Sequence, residues 1–144
     1  MKYIITILVT IILCSCRNSE ATSLYDDGIS LELAQLRNGN IQNLGYSLRF
    51  NIPLQKDSAV MGEIGIAFEV DHKQEIIMDY REEENVISVE SNGAPTSYIV
   101  QNEHIIIPAD AIKEGENLIN IVFVAGNQSL NRREELLYTL LVPD

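Results

Sequence analysis

Two cysteines, two histidines and an excess of carboxylates are the reactive side chains of this 144-residue chain. Cys14 and Cys16 stand together near the start, and no cysteine follows them. His72 lies in a charged stretch and His104 in an apolar one, 32 residues apart. A helical zinc site of the His-Glu-x-x-His type needs two imidazoles one turn apart on one face. That spacing is missing, so His72 is expected in a surface turn and His104 along a strand. No Gly-rich phosphate loop is present, and no serine sits in a Gly-x-Ser-x-Gly elbow. Residue count alone leaves paired acid/base catalysis open. The most suggestive cluster is Asp79 beside Tyr80-Arg81, and a strand-end ion pair accounts for it equally well. Glu82-Glu83-Glu84 reads as a solvated loop, and the glycosylation-like triplet Asn127-Gln128-Ser129 as a polar one. The expectation is therefore no catalytic, cofactor-binding or metal residue.

The cysteines belong to a different pattern. Met1-Lys2 gives a short positive start, and Tyr3 to Leu13 is an apolar run of 11 residues broken only by Thr6 and Thr10. A membrane-crossing helix needs about 20 apolar residues. A basic start, a short apolar stretch and then small residues form a secretory signal. Leu13-Cys14-Ser15-Cys16 resembles the lipobox of bacterial lipoproteins. That resemblance makes residues 1–15 a signal peptide and Cys16 the lipidated first mature residue. Cys14 is the poorer acceptor, because Leu13 would then fill the small-residue position before the cut. The alternative is an ordinary signal peptide with an incidental cysteine. Each buried methylene contributes roughly 0.8 kcal/mol, so two or three acyl chains hold where one would not. Residues 16–26 then form a lipid-anchored polar tether, which places the protein in the cell envelope.

Removing residues 1–15 from 144 leaves 129, enough for one domain with a core and too few for two. The chain carries 10 Lys+Arg against 21 Asp+Glu; without Lys2 the balance is 9 against 21, or −12. Such a surface repels nucleic acid and anionic lipid heads, so neither is an expected partner. The absence of tryptophan argues against a stacking platform for sugars or bases.

These residues must be positioned by short elements. Ser30–Arg37 predicts a helix, stopped by Asn38-Gly39-Asn40. The period then changes to two. Leu44, Tyr46, Leu48, Phe50 and Ile52 alternate with small and polar residues, as a half-buried strand does, and Val60–Val70 repeats the pattern. Lone glycines in the second run mark bulges or close packing. Further strands are expected at Glu75–Tyr80, Val86–Ser91, Tyr98–Gln101, His104–Ile107 and Leu118–Val124. Asn92-Gly93 predicts a tight hairpin, with Pro95 leaving a longer loop open. Ala109–Gly115 reads as a helical turn closed by glycine. A polar loop, Gly126–Glu135, and a last strand, Leu136–Val142, complete the chain. Seven or more short strands at close spacing predict an all-β fold, an antiparallel β-sandwich.

Two stretches carry a family resemblance. Asp27 to Arg37, with Tyr46-Ser47-Leu48-Arg49-Phe50-Asn51-Ile52-Pro53, looks like the opening of bacterial M1-type zinc aminopeptidases (aminopeptidase N-like). Asn102 to Pro108, then Ala125 to Arg132 and Leu137 to Asp144, resembles the end of that family's amino-terminal domain. The resemblance covers nearly all of the mature chain and makes residues 27–144 one amino-terminal β-domain, a saddle that packs on a thermolysin-like catalytic domain. The family's zinc, its His-Glu-x-x-His, its distal zinc-binding Glu and its Gly-x-Met-Glu-Asn motif belong to that following domain, and none occurs in this chain. A Thr-Gln-like pair that helps hold the substrate's amino terminus in the family is matched here by Thr139-Leu140, so no site residue is carried over.

The resulting expectation is a non-catalytic, lipid-anchored amino-terminal domain, truncated or split from a metallo-aminopeptidase and inactive alone. Its expected partners are the membrane through Cys16 and either a separately encoded catalytic domain or a second copy. Leu136, Leu137, Leu140, Leu141 and Val142 would supply the exposed apolar patch for that contact. Two alternatives remain: an independent envelope module that binds a peptide or protein, and an enzyme with dispersed carboxylates.

Overall fold

Ser30 accepts a hydrogen bond from the Leu33 amide at 3.1 Å and so caps the helix α1 (Leu31–Asn40). The computed structural model describes residues 24–55, 57–81 and 85–125, with the backbone of 131–132 and 137–138. The predicted stop at Asn38-Gly39-Asn40 does not occur; all three residues stay helical and the chain turns extended at Ile41. Buried Asn40 accounts for the difference. Its Oδ1 accepts from the Asp71 and His72 amides at 3.2 and 3.3 Å, and its Nδ2 donates to the His72 carbonyl. The helix end is thus held by a distant turn and needs no left-handed cap.

The strands are β1 (Ile41–Asn51), β2 (Val60–Val70), β3 (Ile76–Asp79), β4 (Val86–Ser91), β5 (Ala94–Pro95), β6 (Ile99–Gln101), β7 (His104–Ile107) and β8 (Gly115–Ala125). Two short pieces, β9 (Asn131–Arg132) and β10 (Leu137–Tyr138), pair with each other. Every pairing is antiparallel. One sheet runs β1-β2-β8-β4-β5 and a smaller one β3-β7-β6. β1 and β8 each begin three residues before the predicted start, and β9 falls within the stretch predicted as a polar loop.

The two sheets face each other across a core of Ile66, Phe68, Val89, Ile119 and Ile121 from the larger and Ile76, Ile105 and Ile107 from the smaller. Leu33 of α1 covers the opposite side of the small sheet, against Ile77 and Ile106, with Leu24 and Tyr25 beside it. The fold is all-β and sandwich-like, with one α-helix among the described residues lying over the smaller sheet and a short 3-10 turn at Ala109–Ala111 where the helical turn was expected.

Two turns set the hairpin registers. Asn92 and Gly93, at φ 53° and 82°, connect paired Ser91 and Ala94, so the loop is a two-residue one despite Pro95. Asn102 and Glu103, at φ 49° and 60°, do the same between Gln101 and His104. At Gly62 the reason for glycine is close packing: a Cβ there would lie 2.3 Å from the Phe123 ring.

Candidate functional site

His104 and Asp79 are neighbours across β3 and β7, so the topology brings the most reactive residues of the described chain together. His104 is 1% exposed, and its Nε2 lies 3.0 Å from the Asp26 carbonyl. Its Nδ1 sits 3.3 Å from Asp79 Oδ1 and makes no hydrogen bond there. Asp79 is engaged from the other side by Arg37, whose two terminal nitrogens meet its carboxylate oxygens at 2.7 and 3.0 Å. The same guanidinium donates to the Ile77 carbonyl at 2.9 and 3.2 Å. This fork ties the last turn of α1 to the edge strand β3. A bidentate Arg–carboxylate pair has fixed geometry and suits such a clamp.

The ion pair expected around Asp79 therefore exists, but with Arg37 in place of Arg81. Arg81 instead lies 3.7 Å from Glu103. Sequence reading missed Arg37 because it stands 42 residues from Asp79; its position in the last turn of a helix was the one available sign. A histidine paired with a carboxylate can serve as a general base. Here the imidazole is sealed in, and its outer nitrogen is in contact with a backbone carbonyl. The arrangement is a structural tie between the entry segment, α1 and the small sheet.

His72 lies in the turn after β2 and is exposed, as its charged neighbours suggested. Among the described residues, no group of three or more His, Cys, Asp or Glu side chains is placed to hold a metal ion. No helix among them is long and apolar enough to cross a membrane. Cys14, Cys16, the signal segment, Glu82–Glu84, Asn127–Ser129 and Thr139-Leu140 all lie outside the described residues. So does most of Leu136–Val142, where only the backbone of 137–138 is described.

The structure shows a different apolar surface. Tyr46, Leu48 and Phe50 pair with Ile66, Ile64 and Gly62, and so share the face of β2 that forms the core. Their exposures are nevertheless 66%, 54% and 38%. Alternation correctly gave the strand, but its apolar face is not buried. The three-stranded sheet is too narrow to cover the five-stranded one as far as β1. An open groove of ≈ 370 Å³ results, between β1 and the edge strand β3. Leu44 and Tyr46 form one wall, Ile64 and Ile66 the floor, and Met78 with the Arg37–Asp79 pair the other wall. Its chemistry is that of burial. An apolar lining with one satisfied ion pair can take apolar side chains and offers no nucleophile.

No family model and no curated protein matches the chain. The aminopeptidase resemblance accordingly rests on the residues quoted from the sequence.

Proposed function

We propose that this chain is a non-catalytic, lipid-anchored amino-terminal β-domain of the M1 zinc-aminopeptidase type, working beside a catalytic domain supplied by another polypeptide. The observation that carries the reading is how the reactive residues are used. His104 and Asp79 are engaged in ties that hold α1 and residues 24–26 on the small sheet. Among the described residues, the apolar face of β1 is left open for recognition. An all-β sandwich is the architecture the resemblance implies, and lipidation at Cys16 would keep it in the envelope. Zinc and proton-transfer groups would come from the partner. The groove between β1 and β3 favours a second reading, an independent envelope module that binds a peptide or protein.

The test uses the full-length lipidated protein in detergent. Alone it should release no amino acid from aminoacyl-anilides and take up no stoichiometric zinc. Added to an M1-type catalytic domain produced without its own amino-terminal domain, it should form a complex and raise the rate of release. Chelator-sensitive activity of the chain alone would overturn the non-catalytic reading. Absence of both complex and stimulation would overturn the split-enzyme reading in favour of the independent module.

A further inference from the structure

We propose that β1 is a strand-pairing interface that joins two copies of this chain edge to edge, about a two-fold axis at Leu48. The inference does not depend on the aminopeptidase reading. Exposed edges carry unpaired backbone amides and carbonyls, and proteins blunt them with proline, lysine, bulges or inward charges. β1 lies at the edge of the five-stranded sheet and pairs with β2 alone among the described residues. It contains no proline and no lysine. Its register shift is confined to Gln42/Gly45, so Gly45 to Asn51 pairs with β2 in unbroken register. The one charge on it, Arg49, is cross-strand from Glu63, 3.4 Å away on the face opposite the apolar stripe. Among the described residues this edge is unprotected over seven positions, and its core-side face is the exposed stripe Tyr46, Leu48 and Phe50.

A second copy fits that edge in one register better than in its neighbours. The middle of this regular segment is Leu48. Antiparallel pairing of Gly45–Asn51 with itself sets Leu48 opposite Leu48 of the second copy and Tyr46 opposite Phe50, twice. On the other face Ser47 meets Arg49, twice, so no charge faces its like. Aromatic pairs across strands each add roughly 0.2–1 kcal/mol. Moving the axis to Arg49 sets two guanidinium groups face to face. Moving it toward Gly45 runs the ladder into the bulge, where Asn43 has a φ of 51°. The contact is isologous and closes on itself, so it gives a dimer with one ten-stranded sheet (five strands from each copy) and no fibre. The formal charge of −11 on each copy opposes it, so salt should strengthen the pairing.

The test uses the full chain in mild detergent, with Cys14 and Cys16 replaced by serine so that an introduced thiol stands alone. Directly opposed strand residues have Cβ atoms about 4.5–5.5 Å apart, close enough for a disulfide with slight adjustment. Leu48→Cys should cross-link on mild oxidation at least tenfold faster than Ile87→Cys, a position of similar exposure on β4 (54% and 53%). Ser47→Cys, which meets Arg49 of the second copy, should link no faster than Ile87→Cys. In the cysteine-free chain, sedimentation should give a dimer whose share grows with salt, and Leu48→Lys should give a monomer with unchanged circular dichroism. Equal linking at Leu48 and Ile87, or a monomer at every concentration and salt, overturns the proposal. Linking of the Leu48→Cys chain in membranes to a different protein, and not to itself, overturns the second copy as occupant.

Discussion

Tyr25 joins the entry segment to the sandwich by donating its phenol hydrogen to Glu75. The hydrogen bond to Glu75, then burial, then the negative charge of that carboxylate push the phenol above its ordinary value of 10.0. The folded phenol thus holds its proton more tightly than the unfolded one. Its contribution to stability is complete below pH 10 and fades as pH rises through the raised folded value. In an alkaline titration followed by NMR, the Tyr25 ring should lose its proton at higher pH in the native chain than in Glu75→Gln. Coincident midpoints would show that Glu75 is not the cause. The neighbouring ties act on the same stretch of chain: Asn102 Nδ2 donates to the Tyr25 carbonyl at 2.6 Å, and His104 Nε2 meets the Asp26 carbonyl. These contacts span 50 to 78 residues, so no local pattern in the sequence reveals them. The sequence predicted only that His104 would line a strand. It does, and burial makes it an anchor for residues some distance away.

At the scale of elements, the larger sheet depends on one missing side chain. Gly62 leaves room for Phe123, whose ring meets Phe50 and Tyr80 edge-on at centroid distances of 6.2 and 6.1 Å. Gly62→Ala puts a methyl group into that ring, and overpacking of this kind costs about 1–3 kcal/mol. Urea unfolding should show a lower midpoint with an unchanged slope. Gly45→Ala is the control, because a Cβ there meets nothing within 4 Å, and it should be neutral or slightly stabilising. Equal losses in the two variants would rule out close packing as the reason for Gly62. Much of this sheet was legible, since period-two alternation and Asn92-Gly93 announce strands and a tight turn. The Asn102-Glu103 turn was not, because glutamate seldom takes positive φ. Nor was the bare face of β1. Alternation tells which residues share a face, whereas coverage depends on the width of the opposing sheet, and that is decided by strand order.

For the molecule as a whole, charge bears on the proposed anchorage. The chain's 21 acidic against 10 basic residues disfavour contact with anionic lipid heads, so the proposed attachment rests on the lipid at Cys16. The described chain begins at Leu24, which packs with Tyr25 beside the helix-covered side of the small sheet. Cys16 is eight residues earlier, and extended chain reaches at most about 3.6 Å per residue, so the tether allows roughly 30 Å. An anchor at Cys16 would keep the domain within that distance of the bilayer. The anchor is testable apart from any binding. Cells fed a palmitate analogue should label the native chain and Cys14→Ser alike, whereas Cys16→Ser should carry no label and keep residues 1–15. The reason for the contrast is Leu13, which is too bulky for the position before the cut if Cys14 were the acceptor. Equal labelling of Cys16→Ser would place the lipid elsewhere. A cleaved, unlabelled native chain would make the leader an ordinary signal peptide, and the domain would then reach a membrane only through its partner.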